Sequence, residues 1–358
     1  MKNSNPPIPP LAKWDKGGFE VFMIKEAINM LVSNISLSES EMAECMKEIM
    51  EGKTTDAQIG AFLTALRIKG ETVEEITGAA RIMRGKARTI KAPEGVLDTC
   101  GTGGDMSHTF NISTTTALVV AGAGVPVAKH GNRSVSSQSG SADVLEALGV
   151  KIDLQPEKVE KCLFETGFGF LFAPLFHPAM KYAIGPRREM GIRTIFNILG
   201  PITNPASAKR QILGVFADKL TEPLAKVLGN LGAVDAMVVH GEDGLDEISI
   251  SNRTRVSRFK DGEAKNFYIE PEDFGIRRKK IEHILGSNKE GNAAITLSIL
   301  NGEKGPRRDI VLMNSAAAII VAGKTEDFKM ALSMAADSID SGRALKKLEE
   351  VRKVSNSL

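Results

Sequence analysis

Cysteine is scarce in this chain. Cys45, Cys100 and Cys162 are odd in number and far apart, which excludes a disulfide framework and leaves no metal-ligand spacing. That usage suits a reducing, cytoplasmic setting. Cys45 and Cys162 read as buried helix filler, and Cys100 has no base close in sequence to make it a nucleophile. Long apolar runs are missing too. The longest, 117–127, is interrupted by Gly122, Gly124 and Pro126 and is too short to cross a bilayer, so no membrane partner is expected. Residues 1–10 are polar and proline-rich, unlike a secretory leader. Charge of one sign is also lacking. With 46 basic and 44 acidic residues the net charge is +2, which argues against a nucleic-acid partner bound through bulk charge. There is no Walker-type glycine–lysine–serine run. The dinucleotide fingerprint fails as well, because Met106 stands where its last glycine would be needed. No internal repeat or low-complexity tract occurs.

What is present divides the chain in two. Residues 1–19 read as a flexible lead-in. Residues 20–92 then carry four helical patterns and no strand signal. Ile24, Ile28 and Leu31 share a face in 22–32. Ser38 with Glu41 and Thr72 with Glu75 are capping boxes that open helices. Thr55 and Gly70 bound a further helix over 56–68. From Pro93 the character changes. Candidate strands at 96–99, 125–128, 169–172, 213–216, 236–240, 248–251, 256–259 and 265–269 alternate with helices at 110–121, 142–147, 156–165 and 221–231. Three helical segments, 292–300, 310–321 and 325–340, close the chain. Such alternation predicts an α/β fold with a mainly parallel central sheet flanked by helices, plus an antiparallel piece among the later strands.

The chemistry-bearing stretches sit at strand ends, where parallel sheets bind ligands. Asp98-Thr99-Cys100-Gly101-Thr102-Gly103-Gly104-Asp105 is a strand followed by a glycine turn and then a helix. Alone, such a turn is an ordinary tight connection; its amides and the helix start can also cradle phosphate oxygens. Thr109, Asn111, Ser113 and Thr114 supply more polar groups than capping requires. Lys129-His130-Gly131-Asn132-Arg133 leaves the second strand with two cations and an imidazole, and five serines follow within 134–141. A polyanionic small molecule fits these stretches together. Asp246 and Glu247 are adjacent acids before a strand, and with Ser113 they could hold the Mg²⁺ that a polyphosphate needs. Arg187, in Gly185-Pro186-Arg187-Arg188, offers a guanidinium fork for a carboxylate.

Taken together, these stretches resemble the anthranilate phosphoribosyltransferase family. The matching motifs are Gly101–Asp105, 111–114, 129–133, 139–149, 172–174 with His177-Pro178-Ala179, 185–187, 197–201 and 246–247. As a set they are specific and span most of the chain from Asp98 onward. The resemblance implies a small α-helical domain, to which 187–210 returns, and a large domain made of 93–186 and 211–358. It implies a homodimer built through the small domains, with the active site between the two. It implies transfer of phosphoribose from phosphoribosyl pyrophosphate (PRPP) to the amine of anthranilate, a step of tryptophan biosynthesis. By motif, PRPP would meet Gly101, Gly104, Asp105, Thr109, Asn111, Ile112, Ser113, Thr114, Lys129, His130, Gly131, Asn132, Arg133, Ser134, Val135, Ser136, Ser137 and Ser141. Anthranilate would meet Gly101, Asn132 and Arg187, with His130 and Pro201 nearby; Ser113, Asp246 and Glu247 would hold Mg²⁺. A pyrimidine nucleoside phosphorylase of the same broad fold and a nucleic-acid-binding paralogue are the competing readings.

Overall fold

The computed structural model describes residues 23–134 and 139–358; the expected lead-in over 1–19 and the candidates Val135, Ser136 and Ser137 lie outside them. The chain opens with α1 (Ile24–Val32), α2 (Glu39–Met50), α3 (Asp56–Lys69) and α4 (Val73–Lys86). Ser38, Thr55 and Thr72 each accept from the third backbone amide of the helix they open. Glu41, Gln58 and Glu75 reach back to the capping residue's own amide. Both sets of otherwise orphaned donors are thereby satisfied. The α2 and α4 axes come close because Gly78 has no side chain: a Cβ there would lie 2.3 Å from the Glu39 carbonyl.

An α/β layer follows. In order come β1 (Leu97–Gly101), α5 (Ile112–Gly122), β2 (Val127–Gly131), α6 (Ser141–Ala147), α7 (Pro156–Thr166), β3 (Phe168–Phe172), α8 (Ala173–Phe176), α9 (Lys181–Met190), α10 (Phe196–Leu199) and β4 (Arg210–Gly214). The chain continues through α11 (Thr221–Asn230), β5 (Asp235–Gly241), β6 (Thr254–Lys260) and β7 (Glu263–Ile269). It closes with α12 (Lys289–Leu300), α13 (Pro306–Val321), α14 (Phe328–Asp340) and α15 (Arg343–Ser357). The strands form one sheet in the order β3-β2-β1-β4-β5-β6-β7. The first five are parallel and β6 and β7 run antiparallel.

Successive strand residues point to opposite faces, and the core divides accordingly. Ile212, Met237 and Val239 join α5, α13 and the C-terminal helices on one face. Leu213, Val215, Ala236 and Val238 join α11 on the other. That second cluster also contains the apolar faces of α1–α4 together with Ala183, Ile195, Phe196, Ile198, Leu199 and Ile202. The return segment after β3 is therefore packed on the four leading helices.

Two expectations need correction. Residues 248–251 are not a strand: Ile248 is pinned by Asn314 of α13, whose side chain accepts from the Ile248 amide at 3.0 Å and donates to its carbonyl at 3.1 Å, so no neighbouring strand is needed. The chain ends on a fourth closing helix, α15, which buries Ala344, Leu348 and Val351. The Gly185-Pro186 stretch lies inside α9.

Candidate active site

The β1 end is built around glycine. After Gly101 the backbone passes through left-handed φ values of +66° at Gly103, +76° at Gly104, +63° at Met106 and +53° at His108. Glycine adopts these freely, whereas Met106 and His108 hold them at a cost of roughly 1 kcal/mol or more each. Contacts from three directions fix the turn. The Thr102 amide donates to the Gly214 carbonyl at 2.9 Å, and the Thr102 hydroxyl accepts from the Phe216 amide at 3.1 Å. The Gly103 amide donates to Asp246 Oδ2 at 2.8 Å. Arg193, from the segment after α9, donates to the Gly104 carbonyl and lies 4.5 Å over the Phe216 ring.

Two glycines make room for the acidic loop. A Cβ at Gly101 would stand 2.8 Å from Asp246 Oδ2, and one at Gly214 would stand 1.5 Å from the Asp246 backbone oxygen. The 101–105 turn and Asp246 are thus in direct contact. Burial, then the Asp105 carboxylate, push Asp246 up to about 7. Burial and the Asp246 charge push Glu247 well above the usual carboxylate range, against the pull of Lys129. Lys129 is itself buried; its ammonium donates to the Thr99 carbonyl and, at 3.3 Å, to Ser113 Oγ. Burial lowers its pKa, and Asp98 opposes that.

At the β2 end the His130 amide donates to Asp98 Oδ1 at 3.2 Å. The His130 Nδ1 lies 3.1 Å from the Gly200 carbonyl. A carbonyl only accepts, so Nδ1 carries the proton and Nε2 keeps its lone pair. That Nε2 and the Nε2 of His177 are buried without a partner among the described residues, and the two rings are 5.0 Å apart. Burial holds both neutral, His130 down to about 3 and His177 down to about 4. Asp98, pushed up to about 6 by burial, also accepts from Asn204 Nδ2 at 2.7 Å. Asn204 in turn ties the return segment to the Ala128 carbonyl at 2.8 Å.

Of the other candidates, Ser141 Oγ donates to the Asn132 carbonyl at 3.3 Å. A Cβ at Gly131 would meet that same hydroxyl at 2.1 Å. Thr109 pairs with Leu285 in an isolated bridge. Ile112 and Thr114 are buried in the first turn of α5, and the Ser134 amide donates to Asp143. Arg133 is committed elsewhere: its guanidinium pairs with Asp143 and Glu146 of α6, each at 2.8 Å. Arg187 stands on α9, stacked 5.0 Å from the Phe196 ring. Burial lowers its pKa, and it has no acidic partner among the described residues. It makes no hydrogen bond to the other candidates among those residues. Sequence reasoning missed Arg193 and the Asp98–Asn204 tie. An isolated arginine carries no signal, and Asp98 reads as part of a strand.

The donors near the turn are hard oxygens, and burial and neighbouring carboxylate charge raise the pKa of two carboxylates there, an arrangement that a dication would relieve. Among the described residues no three His, Cys, Asp or Glu side chains form a ready metal cage. A Mg²⁺ ion shares its coordination between few carboxylates and a ligand's oxygens.

Comparison with known proteins bears on the whole chain. Residues 93–345 match the family model described as the glycosyl transferase family a/b domain, and residues 25–87 match its helical bundle domain. The chain is 56% identical over 336 residues to the anthranilate phosphoribosyltransferase of Acetivibrio thermocellus, covering 94% of this chain and 97% of that protein. The crystal structure of the enzyme of that name from Thermus thermophilus superposes with a TM-score of 0.88 at 42% identity, over 92% of this chain and 99% of that one. The Saccharomyces cerevisiae enzyme, solved in complex with PRPP and Mg, gives a TM-score of 0.86 at 30% identity, over 94% and 98%.

Proposed function

The chain belongs to the anthranilate phosphoribosyltransferase family, and on that premise we propose how its own residues run the reaction. The phosphoribosyl group of PRPP passes to the amine of anthranilate, giving N-(5-phosphoribosyl)anthranilate and pyrophosphate. The bond from C1′ to the pyrophosphate oxygen breaks, and the leaving group departs with the electron pair. A C1′–N bond forms, and the resulting acidic anilinium releases one proton to solvent. An aromatic amine is already unprotonated near neutrality, so the site needs no strong base. Positioning and electrostatics carry the rate, through a transition state of oxocarbenium character.

The 101–105 turn, the first turn of α5 and Lys129 hold the diphosphate and sugar. Ser113, Asp246 and Glu247 hold Mg²⁺, which when bound neutralises the diphosphate and makes it a better leaving group. The supporting observation is the contact of Asp246 with the turn, the Gly103 amide lying 2.8 Å from its carboxylate. Arg187 binds the anthranilate carboxylate as a half-buried cation without an anionic partner among the described residues. On the same reading Asn132 and Gly101 also meet anthranilate, with His130 nearby. The exposed Val32 and Ile68 of the leading helices, with Ile35 between α1 and α2, are the surface through which we assign a homodimer.

The test is incubation with PRPP, Mg²⁺ and anthranilate while following loss of anthranilate fluorescence. Turnover that falls by a hundredfold or more in the Asp246→Asn, Glu247→Gln double variant, with altered Mg²⁺ dependence, supports the metal assignment. No fluorescence loss, with phosphorolysis of thymidine or uridine instead, overturns the reading.

A further inference from the structure

Asn111 caps the start of α5 in position only: its side chain makes no capping bond to the helix amides, although asparagine is among the favoured caps. Something holds it away. Segment 284–287 runs antiparallel beside residues 108–110. The Phe110 amide donates to the Ile284 carbonyl at 3.3 Å and the Gly286 amide to the His108 carbonyl at 2.9 Å. Gly286 fits only without a side chain, since a Cβ would lie 2.7 Å from Asn292 Oδ1 and 2.8 Å from the Phe110 backbone. This docking brings Asn292, in α12 and only 2% exposed, against the α5 N-terminus.

The hydrogen bonds there have an unambiguous direction. The Ser287 amide can only donate, and it does so to Asn292 Oδ1 at 2.8 Å. Asn292 therefore presents its nitrogen to Asn111 Oδ1, at 2.9 Å. Asn111 must then face its own nitrogen the other way, where it donates to the Ser139 carbonyl at 3.1 Å. A backbone donor fixes one end of this relay and a backbone acceptor the other. An amide nitrogen carries two hydrogens, and the second N–H of Asn111 has no partner among the described residues.

We propose that Asn292 is a positioning residue for the sugar-phosphate substrate. It turns Asn111 into an obligate donor toward the ligand, and it keeps that side chain from capping α5. This rests on the reading of Asn111 as a PRPP-binding residue.

A double-mutant cycle tests it. Asn111→Ala and Asn292→Ala should each raise the PRPP KM about fivefold, the worth of one neutral hydrogen bond, with the anthranilate KM within twofold of the parent's. The double variant should be no worse than Asn111→Ala alone, whatever the change in thermal midpoint. Asn292→Asp keeps the volume and the Ser287 bond but sets an oxygen against Asn111 Oδ1, and should raise the PRPP KM at least as much. Multiplicative effects in the double variant, or an Asn292→Asp protein that handles PRPP like the parent, overturn the proposal while leaving Asn111 its role. An unchanged PRPP KM in Asn111→Ala removes that role and the proposal with it.

Discussion

Arg187 shows what one side chain can reveal. A half-buried guanidinium stacked on Phe196 without an acidic partner among the described residues is costly unless an anion arrives. We expect Arg187→Ala to raise the anthranilate KM by roughly 10- to 100-fold, the range of a charge-assisted hydrogen bond, and to leave the PRPP KM within a few-fold. Equal increases for both substrates in steady-state kinetics would count against the carboxylate assignment. His177 offers a second test. Burial lowers its folded pKa to about 4, from an ordinary 6.5. Above 6.5 its contribution to stability is fully present. As pH falls toward 4, the unfolded chain takes up a proton that the folded one refuses, so the contribution is lost at up to ~1.4 kcal/mol per pH unit. Asp98 and Asp246 titrate in the opposite sense, their folded values being raised. The imidazole is therefore isolated by difference: the urea midpoint of His177→Gln should fall less between pH 7 and pH 5 than that of the parent.

At the scale of elements, legibility followed local chemistry. The four leading helices were readable because capping boxes and a 3.6-residue apolar period write a helix into its own sequence. The parallel strands were readable from alternation with helices. Helix α9 was not, because Gly185 and Pro186 are breakers by propensity; burial of Ala183 and Pro186 overrides that preference. The 248–251 segment has strand composition, yet its backbone groups pair with Asn314, Lys279 and the Thr254 and Ser249 hydroxyls, and with no strand backbone among the described residues. For the candidate site, the motifs placed the turn, Lys129 and the acids, but nothing local could show that Arg133 turns toward α6 or that Arg193 clasps Gly104. Those depend on neighbours distant in sequence. Gly214 lies between: a glycine inside a strand often marks close backbone approach, and here the Asp246 carbonyl would collide with any Cβ. No rotamer change relieves that clash. Gly214→Ala should displace the acidic loop, lower turnover at least tenfold and lower the melting temperature by several degrees in calorimetry.

For the molecule as a whole, no helix is long and apolar enough to cross a membrane among the described residues. Among the exposed apolar side chains are two on the leading helices, Ile68 at 81% and Val32 at 68%. If two copies meet there, an Ile68→Asp, Val32→Asp protein should sediment as a monomer where the parent sediments as a dimer, with its fold retained by circular dichroism. The cluster joining α1–α4 to residues 183–202 and to one sheet face bears on biogenesis. Roughly 100 residues of chain separate Met83 from Ala183. Translation delivers the leading helices first, while the side chains that cover their apolar flank are still unmade. Until the ribosome has passed Ile202, the nascent bundle must keep greasy surface in water, which makes this early interval the one most open to chaperone capture or to a wrong neighbour.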